Sequence, residues 1–252
     1  MPEDHAQRFG GISRLYGQAA LDRFQNSHIA VVGLGGVGSW AVEALARSGI
    51  GKLTLIDLDE ICLTNVNRQL PALSSTVGRL KAEVLKERIA GIHPGCEVVI
   101  EPVFYTESTS ERLLAPGYDV VIDAIDSHFQ KCHLLATCRE RGLPVIASGS
   151  GGGRTDPTAI RSADLTQSFN DRLLMITRKH LRIHYAFPRK GKKFGIPCVF
   201  SEELPQPLPE TTSCDSTRLN CDGGLGSVTT VTGALGFALA SLALKQLQEQ
   251  VL

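Results

Sequence analysis

The chain has 252 residues, 42% hydrophobic and 21% charged, a composition ordinary for a globular protein and a length sufficient for one α/β domain with a full core. Its 26 Lys and Arg cancel its 26 Asp and Glu, which excludes a global basic field, so any contact with nucleic acid must use a local patch. The seven cysteines are an odd number with no C-x-x-C pair, which argues against a disulfide framework or a structural zinc and for a reducing, cytoplasmic compartment.

Residues 1–27 are polar and read as partly helical, with Arg8, Arg14 and Arg23 set among Phe9, Leu15, Tyr16 and Leu21. The plain reading is a solvated amphipathic arm, and no apolar segment of a secretory signal is present. The stretch 28–68 organises the rest. Residues 29–32 are a short β-branched run, hence a buried strand. Gly33, Gly35 and Gly38 complete a G-x-G-x-x-G turn, with Gly36 as an extra glycine. Residues 39–48 have helical spacing, Gly49 sits where a helix stops, and 52–56 is a second apolar strand that ends on Asp57. Such a βαβ unit lets the backbone approach a phosphate at a helix N-terminus, and the acid after its second strand is placed for a ribose hydroxyl. The loop 59–69 follows, rich in hydrogen-bonding groups; its Asp59 is read as a ribose, cap or metal residue without a choice among them.

Residues 78–92 show helical spacing and carry Lys81 in the first turn. A strand over 97–103, a helix over 107–114, a buried strand over 118–126 closing on Asp126, a helix over 129–141 and a strand over 144–148 complete an alternation. That alternation predicts a Rossmann-like, doubly wound, mostly parallel sheet with helices on both faces. Beyond it the composition changes. A glycine-rich loop spans 149–158, a strand 160–164 and a helix 172–182, while 186–225 is rich in Pro, Gly and charge and reads as a long crossover loop or lid. The final helix covers about 227–248. Its uncharged part, 226–244, is near the lower limit for a membrane span, but its Thr, Ser, Gly and Ala favour a buried or interface helix.

A lone G-x-G-x-x-G with a downstream acid most often means NAD or FAD. Arg68, Lys81 and Asp126 pull away from that reading. Two cations and an additional carboxylate fit a triphosphate–magnesium site, in which the cations meet phosphoryl charge and the acid holds the metal. Lys81 alone is an ordinary helix lysine and gains its functional reading from Arg68 and Asp126. Asp123, inside its strand, is assigned to structure. The histidines show no ligand spacing tied to a carboxylate, so no histidine metal site is expected. Between 178 and 193 there are seven Lys and Arg and no acid, interleaved with His180, His184, Tyr185 and Phe187. A solvated face is the plain alternative, yet in a chain without net charge this is the one footprint for an anionic macromolecule.

The motifs GLGGVGSW, LTLIDLDEICLTNVNRQ, GRLKAEVLKERI and YDVVIDAIDS, in that order, resemble the ubiquitin-activating-enzyme-like superfamily, which includes the adenylyltransferases of molybdopterin and thiamine biosynthesis. More narrowly, RFGGISRLYG, EALARSGIGKLTLIDLD, GGGRTDPTAI, the run 198–201 and the closing helix are similar to the bacterial tRNA threonylcarbamoyladenosine dehydratases. The resemblance implies one domain over 1–252, with an arm (1–27), a nucleotide-binding core (28–150) and a variable substrate and dimer region (151–252). It implies ATP-dependent cyclisation of threonylcarbamoyladenosine beside the anticodon, through carboxylate adenylation with Mg2+. The alternative it leaves open is adenylation of a sulfur-carrier or ubiquitin-like protein, or sulfur transfer with a cysteine desulfurase.

The implied roles are specific. Gly33, Gly35, Gly36 and Gly38 cradle the nucleotide, Asp57 lies at the ribose, Asn65, Arg68 and Lys81 contact phosphates, and Asp59 and Gln69 belong to the nucleotide site without an assigned contact. Arg68, Lys81 and Asp126 are catalytic, Asp126 also holding the metal, and Arg8 reaches a partner's site across a homodimer. Arg178, Lys179, Arg182, Arg189, Lys190, Lys192 and Lys193 are expected at the tRNA. Membrane association through the last helix is the minor alternative. Cys198, Cys214 and Cys221 are expected to be incidental, since no catalytic cysteine motif matches.

Overall fold

The computed structural model describes residues 3–189, 191–206 and 225–251. Lys190, Cys214 and Cys221 lie outside the described residues. Seven strands form one sheet in the order β3-β2-β1-β4-β5-β7-β6. These are β1 (His28–Val32), β2 (Lys52–Ile56), β3 (Glu97–Glu101), β4 (Val120–Asp123), β5 (Val145–Ser148), β6 (Ile160–Asp164) and β7 (Pro197–Ser201). All neighbours pair in parallel except β6 and β7. The helices are α1 (Glu3–Tyr16), α2 (Gln18–Gln25), α3 (Gly38–Arg47), α4 (Lys81–Ile92), α5 (Glu107–Leu114), α6 (His128–Glu140), α7 (Arg172–His184) and α8 (Thr229–Gln248).

The central strands bury both faces, as parallel strands covered by helices must. Alternate residues of β1 divide between two cores. Ile29 and Val31 face a core with Leu45 of α3, Leu85 of α4, Phe24 of α2 and Leu235 and Leu239 of α8. Ala30 and Val32 face the other, with Leu114 of α5, Leu135 of α6 and Leu174 and Leu181 of α7. Chain order reverses between β1 and β4, which makes the carboxyl ends of those two strands the switch point where open α/β sheets bind ligands.

Four expectations are corrected. The N-terminal segment is no solvated arm, because Phe9, Ala20, Leu21 and Phe24 are buried against the body. Helix α4 begins at Lys81 rather than Gly78. Gly78 has φ +84°, and its amide and the carbonyl of Arg79 pair with Ile61 at 2.9 Å each, so 78–80 serves as an edge to the loop. The acid-ended strand stops at Asp123, and Asp126 stands in the loop beyond it. Finally, the supposed crossover loop contains β7, whose Cys198, Val199 and Phe200 are buried. It was concealed by the Pro, Gly and charged residues on either side.

Helix α8 is long and apolar enough to cross a membrane, with mean hydropathy 1.3, yet 56% of that window is buried within the protein. A side chain in place of Gly236 would stand 2.6 Å from the Val37 carbonyl. The small residues thus serve close packing of α8 on α3, the reading favoured from composition.

Candidate functional site

A cleft of about 870 Å³ opens at the switch point. One wall is the glycine turn between β1 and α3. Gly33 has φ +90°, and a Cβ on Gly38 would fall 1.8 Å from the Gly33 carbonyl oxygen, so no other residue can close this turn. Asp57, at the end of β2, braces it: Oδ2 accepts the Leu34 amide at 2.6 Å and Oδ1 the Asp59 amide at 2.8 Å. Burial pushes the Asp57 carboxyl up, while the charge of Lys81 and the two amides pull it back.

Lys81 is buried at the first turn of α4, and its Nζ donates to Asp59 Oδ2 at 2.7 Å. Its amide donates to the Asp59 carbonyl at 3.1 Å, so backbone and side chain fasten the helix start to the loop. Asp59, half exposed, is therefore the ion-pair partner of Lys81 as well as a cleft-lining group. Arg68 belongs to a loop pinned from two helices. Its carbonyl accepts Trp40 Nε1 of α3 at 3.1 Å and Thr232 Oγ1 of α8 at 3.3 Å. One guanidinium nitrogen donates to the Thr64 carbonyl at 2.7 Å and Asn67 Oδ1 at 3.0 Å; the rest of the fork has no hydrogen-bond partner among the described residues. Asn65 is buried and its Oδ1 accepts the Cys62 amide at 3.0 Å. Gln69 Oε1 is buried without a hydrogen-bond partner among the described residues.

The opposite wall is the loop after β4. Asp123 is fully buried in an ion pair with Lys131 of α6 at 2.8 Å, and its Oδ1 accepts the Ile125 amide at 3.1 Å. Burial raises the Asp123 carboxyl and the Lys131 ammonium lowers it. Its role is structural, as expected, because the pair ties the start of α6 to the end of β4 and so sets the position of Asp126 between them. Asp126 is exposed, lines the cleft and makes no hydrogen bond or ion pair with another described residue.

The cleft thus collects Gly33, Gly35, Gly36, Asp57, Asp59, Asn65, Arg68, Gln69, Lys81 and Asp126. Arg8 is absent from it: its guanidinium donates to Asp4 and to the Ile92 carbonyl at 3.2 Å. Ile92 is the last residue of α4 and Lys81 the first, so Arg8 sits about 16 Å away along the helix axis. The basic run divides. Arg178 turns inward to Ser168 Oγ and the Leu165 carbonyl, and Arg182 lies over the Phe194 ring at 5.1 Å and donates to the Pro188 carbonyl. Those two hold the fold. Lys179, Arg189, Lys192 and Lys193 are exposed.

The glycine-rich loop, expected as a connection and as one motif of the dehydratase resemblance, lines the cleft through 148–152. A buried pair holds it. Asp171 Oδ2 accepts the Ser150 amide at 2.8 Å and meets Arg154 Nη2 at 3.5 Å, while Arg154 also donates to the Asn170 carbonyl at 2.8 Å. Three successive glycines followed by an arginine were the available signal. Phe104, Tyr105, Gln130 and Thr232 also line the cleft and were not anticipated. Cys198 is buried in β7, and burial pushes its thiol up to about 12.

A model of the ThiF family matches residues 10–250. The tRNA threonylcarbamoyladenosine dehydratase of Haemophilus influenzae is 48% identical, over 97% of this chain and 95% of that protein. The Escherichia coli enzyme of that name is 45% identical, over 96% of this chain and 93% of the relative. Among solved structures, the E. coli dehydratase in complex with ATP matches with a TM-score of 0.89 at 42% identity, covering 98% of this chain and 96% of that one. Its complex with AMP matches with a TM-score of 0.90 at 43% identity and the same coverage.

Proposed function

The chain belongs to the ThiF family, and from that premise we propose that it is a cytoplasmic, ATP-dependent tRNA-modifying enzyme that dehydrates threonylcarbamoyladenosine. The likeness to the dehydratases, which runs the length of the chain, supports the substrate. The single observation that carries the chemistry is the convergence of the glycine turn, Arg68, Lys81 and Asp126 on one cleft at the switch point.

In the first step a carboxylate oxygen of the threonyl group attacks the α-phosphorus of ATP. The bond to the bridging oxygen breaks and pyrophosphate leaves, giving an acyl-adenylate. A nucleophile of the same threonylcarbamoyl group then attacks the acyl carbon, loses its proton and expels AMP. One carboxylate oxygen departs in AMP, so the nucleoside loses the elements of water overall. Ring closure needs little beyond proximity once the carboxyl is activated, and no cysteine nucleophile is required. The protein's contribution is electrostatic. The turn amides face the phosphates, Arg68 presents its unengaged donors, and buried Lys81, preset by Asp59, meets negative charge where water is scarce. Asp57 lies at the ribose.

Asp126 fits a magnesium ion, since it is exposed in the cleft and unengaged by described residues, and magnesium typically takes one or two carboxylates with phosphate oxygens. Bound there, the ion supplies charge neutralisation on the phosphates. The reading includes a homodimer, in which exposed Arg8 serves the partner subunit's cleft. It does not use a membrane, because α8 is a core helix, and it gives Cys198, sealed in β7, no part in sulfur transfer.

The test is AMP formation from ATP and magnesium, with bulk tRNA carrying threonylcarbamoyladenosine, a small carrier protein, or NAD without ATP as separate arms. Stimulation by tRNA with loss of one water from the nucleoside supports the reading. Stimulation by the carrier alone would move the substrate to a protein C-terminus.

A further inference from the structure

The face beside the cleft carries rings that the adenylation chemistry does not use. Phe129, the second residue of α6, is 58% exposed. It meets His180 of α7 edge-on at 5.3 Å and lies against His128 at 4.0 Å. His180 in turn lies 4.2 Å from His184, the two rings tilted by only 37°. This cluster of three histidines and a phenylalanine adjoins the cleft mouth, since Ser127 and Gln130 on either side of His128 and Phe129 both line the cleft. It is no metal centre: among the described residues no three metal-type side chains converge. Burial and the neighbouring imidazoles hold the His180 ring below the usual histidine range, so at neutral pH it presents a flat, uncharged face.

The surroundings name the partner's charge. Helix α7, which carries His180 and His184, exposes Arg172 and Lys179 and has no acid of its own, and Arg189, Lys192 and Lys193 follow it in sequence, also exposed. The acids facing the cluster from other elements are Glu107 and Glu140, near Tyr185. Exposed rings flanked by cations suit single-stranded nucleic acid, whose unpaired bases stack while its phosphates take the charge.

Building on the function proposed above, we propose that Phe129 and His180, backed by His128 and His184, form a platform on which the anticodon-loop bases flanking the reacting adenosine stack. The platform orients the substrate and takes no part in bond making. A loop base splayed into the cleft past Asp126 leaves its neighbours unstacked at the cleft mouth, and the rings replace the stacking that is lost.

The test separates binding from turnover in the full-length protein. Affinity for a fluorescent anticodon stem-loop is measured by anisotropy across a salt series, and AMP formation with whole modified tRNA is measured alongside. Phe129→Leu keeps apolar bulk without a π-face and is expected to weaken stem-loop affinity by about tenfold, with Phe129→Tyr restoring it. KM for tRNA rises in step and KM for ATP stays in place. Removing a stacking ring leaves the dependence of log affinity on log salt unchanged, whereas Lys179→Ala flattens it by about 0.7. Wild-type affinity in Phe129→Leu, or no stem-loop binding by the wild type, overturns the platform. So does a drop in subunit number on sedimentation of Phe129→Leu, which would make the patch a contact between copies of this chain. Failure of tRNA to stimulate AMP formation by the wild type speaks instead against the function itself.

Discussion

Replacing Lys81 by Met removes one positive charge and keeps the bulk of a side chain that is only 5% exposed. Two effects follow, and the geometry separates them. In the ground state, Asp59 loses a partner 2.7 Å away, but Asp59 is 49% exposed, so water takes over much of the interaction. The cost to folding is about 1 kcal/mol, nearer the exposed-pair range than the several kcal/mol of a fully buried pair. Asp57 also loses the charge that pulls its carboxyl down and moves further up. A raised carboxyl means that the native state holds its proton more tightly. The variant's stability therefore declines as pH climbs from the ordinary Asp range to the raised native value, and is recovered below that range. In the transition state, charge on the phosphates goes unmet where the buried Lys81 ammonium had been preset to receive it. Losing one such preset donor costs about 2.7–4 kcal/mol, or roughly a hundred- to a thousandfold in kcat. Rate should thus fall far more than stability. The assay pairs single-turnover AMP formation with a urea titration of the same sample. Near-normal turnover by a folded Lys81→Met protein would refute the assignment, and a rate loss matched by an equal loss of folded protein would reduce Lys81 to a structural residue.

Three further outcomes are expected. His5 and His93 are buried, packed on Phe9, and leave three ring nitrogens without a partner among the described residues; burial lowers both from 6.5, His5 and then Arg8 lower His93 further, and Asp22 pulls His5 back. A lowered histidine contributes stability that is present above pH 6.5 and lost below it, so urea midpoints should fall between about pH 7.5 and 5.5 and fall less in His93→Phe; an equal fall in both proteins refutes this. Cys198→Ala combined with Cys214→Ser and Cys221→Ser should keep tRNA-dependent turnover, and its loss with the fold intact would restore a covalent or sulfur-transfer role. Subunits bearing Arg8→Ala mixed with subunits bearing Lys81→Ala should regain part of the activity, because one site in the mixed dimer has both residues; proven mixed dimers without rescue would confine Arg8 to its contacts with Asp4 and Ile92.

The half of the molecule that was legible is the half built from local rules. The turn at Gly33 to Gly38 is specified by steric exclusion over a few residues, and Lys52 to Ile56 by an apolar run closed with an acid, so both are visible in a short window. The grouping of Arg68, Lys81 and Asp126 could be anticipated only because the order and spacing of motifs is itself a signal: Arg68 and Lys81 follow β2 and Asp126 follows β4, the two strands that flank β1 in the sheet. The N-terminal helices were misread because their polarity is real: α1 exposes Arg8 and Leu15 while burying Phe9, and what covers Phe9 is His93, far away in sequence. β7 was hidden for a similar reason, since its partners, β5 and β6, precede it by thirty or more residues and its flanks look like a linker.

The same distinction explains why the cleft was only half seen. One wall is lined by glycines, two cations and carboxylates, residue types that announce chemistry. The other wall is set by buried pairs that do not themselves line the cleft. Lys131 with Asp123 orients the loop bearing Asp126, and Arg154 with Asp171 holds the Ser150 amide and the glycines beside it. A buried ion pair recovers little net stability after desolvation, so neither pair is explained by folding energy alone. Each ties a sheet end to a helix start at the cleft wall, where removing either partner would strand a charge in the interior. Their common effect is to keep two short loops from drifting while the glycine turn, rigid by its own sterics, faces them across the cleft. Charge that exists to position backbone leaves no motif in a single sequence, and that is why this wall became visible only once the strands were assembled.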